Sequence, residues 1–232
     1  MPITKHIPNF LTCCNLLSGC VAILLAAKGE FTYAFGFLFI AAAFDFLDGF
    51  AARLLKAYSL IGKELDSLAD VVSFGVAPGM MLFYLLSLNG ESSYLLNMLP
   101  YAAFIIPALS ALRLAKFNVD DRQTESFIGL PVPAHALFWG SLICFILENF
   151  TAPLSPLCMG GLALLAILTS LLLVSEIPMF SLKFKSWGWK ANKLRYVFIL
   201  SSLILIVFLQ FSGIAAAIIL YIILSIFNRL TT

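Results

Sequence analysis

Residues 43–70 read AFDFLDGFAARLLKAYSLIGKELDSLAD and lie between apolar segments on both sides. They contain four acidic side chains, called the four aspartates below: Asp45, Asp48, Asp66 and Asp70. One carboxylate at mid-membrane costs roughly 3 kcal/mol, so four uncompensated ones would cost on the order of 10 kcal/mol. Divalent cations bound in a hydrated, protein-lined pocket would offset this cost. We therefore expect metal-assisted chemistry at a membrane.

The composition is that of a polytopic membrane protein. Of the 232 residues, 62% are hydrophobic and 11% are charged, and the mean hydropathy is +1.02. A soluble domain carries about 25% charged residues, so the composition excludes that class. The apolar runs predict one all-α domain over residues 1–232, a membrane bundle of about eight transmembrane helices. We expect these helices at about residues 9–27, 31–53, 66–88, 95–116, 134–150, 156–176, 194–211 and 213–228, with the last two forming a tight hairpin.

The positive charges predict one orientation in the membrane. All of the 14 Lys and Arg residues except Lys28 fall on the side of the predicted bundle that carries both termini. Cytoplasmic loops of membrane proteins are enriched in Lys and Arg. We therefore expect both termini and the aspartates to face the cytoplasm, in the cell (inner) membrane.

The spacing of the four aspartates predicts a shared pocket. Asp45 and Asp48 are three residues apart, and Asp66 and Asp70 are four apart at the predicted start of the third helix, so each pair shares a helix face. If the link of residues 54–65 makes the two helices antiparallel neighbours, the pairs face each other. Such a pocket suits one or two hard cations such as Mg²⁺ or Mn²⁺. Two other interpretations stay open: helix-end acids paired with nearby basic residues, and an ion-coupled transporter.

The aspartates belong to a longer motif, Asp45-x2-Asp48-Gly49-x2-Ala52-Arg53-x8-Gly62-x3-Asp66-x3-Asp70. Its small residues leave room beside Asp48 for a bulky polar ligand, and Arg53 offers a planar fork suited to phosphate. The motif is identified as the complete signature of the CDP-alcohol phosphotransferase family. This resemblance implies transfer of a substituted phosphate from a CDP-linked donor to an alcohol, with CMP as the leaving group.

The same resemblance implies roles for individual residues. Two divalent cations, Mg²⁺ or Mn²⁺, would be held by the four aspartates, and Asp70 would be the general base. The CDP and phosphate site would be formed by Asp45, Gly49, Ala52, Arg53 and Gly62. The family resemblance also implies a homodimer and a catalytic core at about residues 7–176, followed by the C-terminal helical hairpin at about 194–228.

Four further stretches are similar to the integral-membrane phosphatidylserine synthase branch of the family: residues 7–12, 66–78, 113–118 and 127–133. The branch implies CDP-diacylglycerol as donor and L-serine as acceptor. Lys116 departs from the arginine expected in this branch, and lysine keeps the charge but loses bidentate geometry. Glycerol 3-phosphate or an inositol compound is the alternative acceptor, although either would require a more strongly cationic pocket.

The residues themselves also favour a zwitterionic acceptor. Arg113, Lys116 and Asn118 end the fourth predicted helix in the layer of the aspartates, and Ser73 lies one turn beyond Asp70. The carboxylate of such an acceptor needs a cationic partner, and Arg113 is suitably placed to bind this carboxylate. Arg113 is also open to interpretation as a membrane anchor, and Ser73 as a helix-packing residue.

The remaining polar features predict contacts with the membrane and the interior of the bundle. The basic stretch Lys183–Arg195, with Trp187 and Trp189, is typical of an interfacial segment that contacts anionic lipid headgroups. His135 is expected to be packed rather than catalytic. We expect membrane lipids among the partners and no nucleic acid.

Overall fold

The structure is a computed structural model that describes residues 6–88, 94–120, 127–150, 154–180 and 188–231. Within these ranges the protein is a helical bundle with one short strand pair. Its α-helices are α1 (Ile7–Ala27), α2 (Phe31–Leu54), α3 (Leu60–Asp70), α4 (Ala77–Ser87), α5 (Tyr94–Met98), α6 (Ile105–Val119), α7 (Val132–Asn149), α8 (Pro156–Val174), α9 (Trp189–Leu209) and α10 (Phe211–Thr231).

Two of the helical units change their winding along their length. The segment Val71–Val76 is π-helical and joins α3 to α4, and Leu99–Phe104 is a 3-10 helix that joins α5 to α6. Seven helical units are long and apolar enough to cross a membrane, and α10 adds the shorter apolar segment Phe211–Phe227. The prediction of an all-α membrane bundle with eight helical units is therefore confirmed.

The third helical unit begins earlier than the sequence predicts. We expected its start at residue 66, whereas α3 begins at Leu60 and is capped by Ser59. The Ser59 hydroxyl accepts a hydrogen bond of 2.9 Å from the Gly62 backbone N–H, a type of cap that contributes about 1 kcal/mol. Lys63, Glu64 and Asp66 interrupt the apolar residues of its first turns, so the length of the apolar run does not reveal them. The link is residues 55–59, and Asp66 lies in the middle of α3 rather than at its start.

A close approach of backbones brings α1 against the π-helical segment. Gly19 has no side chain, and a Cβ atom at this position would lie 2.6 Å from the Ser73 Cα atom. The buried Ser73 hydroxyl donates a hydrogen bond of 2.9 Å to the Asn15 carbonyl oxygen. The polar face of α1 is thereby held next to the part of the chain that carries Asp66 and Asp70.

The main apolar core lies towards the other end of these helices. It is formed by the C-terminal part of α1, the N-terminal part of α2, and α4 and α7, around the fully buried side chains of Phe35, Met81 and Trp139. Asp45 lies beyond the part of α2 that enters this core. The core therefore fixes the relative positions of the helices, and the aspartates occupy the end that it leaves free.

A two-residue strand pair fixes the segment that follows α8. Strand β1 (Phe127–Ile128) pairs antiparallel with β2 (Pro178–Met179). Gly129 follows β1 with a φ of +76°, a conformation that glycine adopts without strain, and its N–H donates to the Ile177 carbonyl oxygen at 2.9 Å. The segment after α8 is consequently held beside the segment that precedes α7.

The C-terminal hairpin has the tight turn that the sequence predicts. Helix α9 ends at Leu209 and α10 begins at Phe211, with Gln210 at a φ of +50° between them. Helix α10 packs against α7, while most of the α9 side chains face outward. Of the predicted interfacial stretch, residues 183–187 lie outside the described residues, and Trp189 stacks on Tyr196 with ring centroids 5.2 Å apart.

Candidate active site

Helices α2 and α3 bring three acidic side chains together in what we call the carboxylate triad: Asp45, Asp48 and Asp66. One carboxylate oxygen from each residue lies within 4.8 Å of the others. Asp48 is buried, and the buried Oδ1 atom of Asp66 has no hydrogen-bond partner among the described residues. Asp70, one turn further along α3, is also buried and lies within electrostatic range of all three. Three of the four aspartates therefore share one cluster, and Asp70 lies near it.

The carboxylate triad fits a hard divalent cation. Oxygen ligands bind Mg²⁺ at about 2.0–2.1 Å and Ca²⁺ at about 2.3–2.6 Å, so two ligands of one ion lie at most about 4.2 Å or about 5.2 Å apart. The spread of up to 4.8 Å in the triad is within the limit for Ca²⁺, and a smaller ion such as Mg²⁺ would draw the three carboxylates slightly closer together. Like charges at such distances in apolar surroundings need a counter-charge. The unpartnered Asp66 Oδ1 atom is an oxygen that a cation can bind.

Helix α1 supplies two polar side chains that hold the aspartates and that our sequence-based site prediction did not include. The Thr12 hydroxyl lies 2.6 Å from Asp48 Oδ2, and the Asn15 side-chain amide donates to Asp70 Oδ1 at 3.0 Å. Both side chains are buried. A signal was present in the sequence, because Thr12 and Asn15 are polar residues on one face of an otherwise apolar helix.

A cavity of about 550 Å³, called the triad cavity below, opens beside the carboxylate triad between α1, α2 and α3. Three residues of the predicted nucleotide site line it: Gly49, Ala52 and Gly62. Tyr58 and Lys63, which the motif does not include, line it as well. Arg53 is exposed at the end of α2 and is not among the described residues that line this cavity, so its contact with phosphate stays a prediction.

A second cavity of about 290 Å³, called the α6–α8 cavity below, lies at the ends of α6 and α8. Both predicted serine-binding cations, Arg113 and Lys116, line it. Arg113 is buried and its guanidinium lies 5.0 Å from the Phe117 ring centroid, yet its Nε and Nη2 atoms have no hydrogen-bond partner among the described residues. The guanidinium lies within electrostatic range of Asp70, so this cavity is close to the aspartates.

The other two predicted serine-binding residues make contacts between helices. The Asn118 side-chain amide donates to Ser67 Oγ at 2.9 Å, and the Asn118 backbone carbonyl oxygen accepts from Lys63 Nζ at 2.8 Å. The Ser73 hydroxyl donates its hydrogen bond to the Asn15 backbone carbonyl oxygen, as described above. Among the described residues, neither Ser73 nor Asn118 lines the α6–α8 cavity. Their contact with serine stays a prediction.

His135 is packed inside the bundle, as expected. Its Nε2 atom lies 3.0 Å from Thr169 Oγ1 and 3.1 Å from the Trp139 indole nitrogen, and the side chain is fully buried. These contacts join α7 to α8 in the interior of the bundle. His135, Trp139 and Thr169 are not among the described residues that line either cavity.

The chain also matches a known protein family. A family model described as CDP-alcohol phosphatidyltransferase matches residues 5–174, which include the whole aspartate motif. The chain belongs to the CDP-alcohol phosphatidyltransferase family. The resemblance read from the motif is thereby confirmed.

Curated relatives of this family member cover most of the chain. Several of them, including the following three, are named CDP-diacylglycerol–serine O-phosphatidyltransferase. The protein of Helicobacter pylori (strain J99) is 33% identical over 198 residues, which is 83% of this chain and 79% of the relative. That of Methanocaldococcus jannaschii is 37% identical over 74% of this chain and 72% of the relative. That of Bacillus subtilis (strain 168) is 36% identical over 75% of this chain and 89% of the relative.

The contact between Thr12 and Asp48 generates a prediction about metal binding. Replacing Thr12 with valine removes the hydroxyl that fixes Asp48 Oδ2, and we expect Mn²⁺ affinity to fall about tenfold, as when an outer partner of a metal ligand is lost. Electron paramagnetic resonance of free Mn²⁺, titrated into the detergent-solubilised protein, measures this affinity. Thr12→Ser keeps the hydroxyl and is the matched control; equal Mn²⁺ affinity in Thr12→Val and the unaltered protein would contradict the role of the hydroxyl.

Proposed function

We propose that this protein transfers the phosphatidyl group of CDP-diacylglycerol to L-serine, giving phosphatidylserine and CMP. The observation that carries the proposal is the carboxylate triad with the complete family motif, beside a cavity large enough for a nucleotide. A second cavity holds a buried arginine that is within electrostatic range of Asp70. The names of the relatives support serine as the acceptor. The site is proposed to face the cytoplasm in a homodimeric enzyme.

The triad cavity suits a nucleotide whose lipid tails remain in the bilayer. The cavity has space for a ligand beside the acidic groups because the residues that line it there are small: Gly49, Ala52 and Gly62. The Lys63 ammonium offers a positive charge to a diphosphate. Tyr58 and Leu60 line the cavity and are 73% and 85% exposed, so they form an apolar edge that acyl chains can contact. Asp45 and Arg53 complete the proposed nucleotide site.

The four aspartates are proposed to hold two divalent cations, Mg²⁺ or Mn²⁺. The carboxylate triad supplies three closely spaced oxygens, and Asp70 adds a fourth carboxylate within electrostatic range. When bound, such cations neutralise the diphosphate and stabilise the departing CMP. No nucleophilic side chain is needed, because the acceptor hydroxyl attacks phosphorus directly.

Asp70 is proposed to accept the proton of the serine hydroxyl. The serine oxygen then forms a bond to the phosphatidyl phosphorus while the bond from this phosphorus to the CMP oxygen breaks. Asn15 holds Asp70 by the Oδ1 atom, which fixes the direction of the carboxylate. A general base placed in this way contributes about 10²–10⁴-fold to rate.

Arg113 and Lys116 are proposed to bind the serine carboxylate. The unpartnered Nε and Nη2 atoms of Arg113 are neighbouring donors that match the two oxygens of a carboxylate. Buried guanidinium nitrogens without acceptors are costly unless a ligand supplies the acceptors. Lys116 adds a second positive charge at the more exposed side of the same cavity.

The acceptor is tested by offering labelled L-serine, glycerol 3-phosphate and inositol in turn, each with CDP-diacylglycerol and either Mn²⁺ or Mg²⁺. We expect CMP release and a labelled lipid with serine alone. CMP release with one of the other alcohols would show that the protein belongs to another branch of the family. Ion-dependent uptake into vesicles without CMP release would instead identify a transporter.

Asp70→Asn tests the general base. The amide cannot take a proton, so we expect turnover to fall by at least about 10²-fold while CDP-diacylglycerol still binds. CMP release measures turnover, and equilibrium binding of a labelled donor measures the second property. Turnover at the unaltered rate would remove the assignment of Asp70.

Arg113→Ala tests the carboxylate site. We expect the KM for serine to rise about 10–100-fold, because a charge-assisted hydrogen bond of about 1.5–3 kcal/mol is lost, while donor affinity changes little. Arg113→Lys keeps the charge without the planar fork, so its KM for serine should lie between the values of the unaltered protein and Arg113→Ala. Equal losses of serine use and donor binding would show a structural role for this side chain.

A further inference from the structure

We propose that Asp120 and Glu176 bind the ammonium group of the acceptor, so that the α6–α8 cavity recognises an amino acid by both of its charges. The inference rests on the proposed function, since it concerns the same acceptor site. It adds the second half of acceptor recognition, which neither the aspartate motif nor the basic residues of α6 provide.

The lining of the cavity carries charges of both signs. Arg113 and Lys116 project from α6, while Asp120 follows the last turn of α6 and Glu176 follows α8. Two positive and two negative side chains together give no net charge. The volume of about 290 Å³ is small compared with most drug-sized ligand sites, which suits a small polar molecule.

The segment that carries Glu176 is fixed by the backbone rather than left as an open loop. On one side of it, the Ser175 hydroxyl donates to the Leu172 carbonyl oxygen at 2.9 Å. On the other side, the Ile177 carbonyl oxygen accepts from the Gly129 N–H at 2.9 Å. Glu176 is therefore presented at a defined place beside the end of α6.

This arrangement of charges discriminates between the possible acceptors. Serine brings one carboxylate and one ammonium, and the cavity offers a complementary pair to each. Glycerol 3-phosphate brings only negative charge and would face two carboxylates, while inositol is neutral and offers no charge to either pair of side chains. Specificity of this kind comes as much from repelling the wrong ligand as from attracting the right one.

A simpler role for the two acids is to balance the charges of Arg113 and Lys116. The two roles differ in one measurable respect. Charge balance affects every acceptor that Arg113 holds, whereas binding of the ammonium affects only acceptors that have an amino group. A comparison of L-serine with 3-hydroxypropionate, which is serine without its amino group, separates them.

The experiment uses Asp120→Asn and Glu176→Gln, singly and together, in the full-length protein. CMP release with CDP-diacylglycerol gives kcat and KM for both acceptors, and calorimetry gives their equilibrium binding in the presence of CMP and Mn²⁺. We expect the double variant to raise the KM for L-serine about 10–100-fold with little change in kcat, and to bind 3-hydroxypropionate as well as or better than before. Glu148→Gln, a carboxylate-to-amide change on α7, is the matched control.

The ratio between the two acceptors is measured within each variant, so a general loss of folded protein cancels. An equal fall for L-serine and 3-hydroxypropionate would show that the acids only balance Arg113, and it would overturn the inference. An unchanged preference for serine in the double variant would overturn it as well. Failure of the unaltered protein to use serine at all would instead overturn the proposed function.

Discussion

Carboxylates that lie close together in an apolar bundle repel one another, and the helices around the aspartates are arranged to offset this repulsion. The carboxylate triad gathers three acidic groups within 4.8 Å, and Asp70 lies close to them. Burial removes water that would otherwise solvate these charges, so the protein has to provide other partners. It does so from α1, where Thr12 and Asn15 hold Asp48 and Asp70, and α1 can come close enough because Gly19 has no side chain.

The same constraint separates two environments around the aspartates. On the side of α1, α2 and α3, small residues and an exposed apolar edge make a cavity that suits a lipid-linked nucleotide. At the ends of α6 and α8, the lining is charged and suits a small polar acceptor. Asp70 lies on α3 within electrostatic range of Arg113, so the proposed base is next to the acceptor side. A transferase that joins a lipid to a polar alcohol needs this division, because its two substrates come from different solvents.

The sequence predicted those parts of the site that lie on one helix or on two neighbouring helices. The spacing of the four aspartates determines which of them share a face, and the residues between α2 and α3 are too few to place these helices far apart. Gly49, Ala52 and Gly62 were predicted from the resemblance of the motif to the family signature. The start of α3 was predicted too late, since the charged residues that follow its cap at Ser59 interrupt the apolar run. Thr12 and Asn15 were missed because nothing local relates them to residues some 36 to 55 positions later in the chain.

Hydropathy and helical periodicity act over a few turns of chain, so they were sufficient to predict the class of protein, the number of helical units and which aspartates share a helix face. Which distant segments meet became evident from the packing of the helices alone. Helix packing places the polar face of α1 against the aspartates and allows Asn118 to form a hydrogen bond with Ser67. It also brings Glu176 into the α6–α8 cavity beside Arg113. Such contacts depend on how closely helix backbones approach and on how short strands fix the ends of the bundle. Both are properties of packing between segments far apart in the chain, so the spacing of residues along it does not express them.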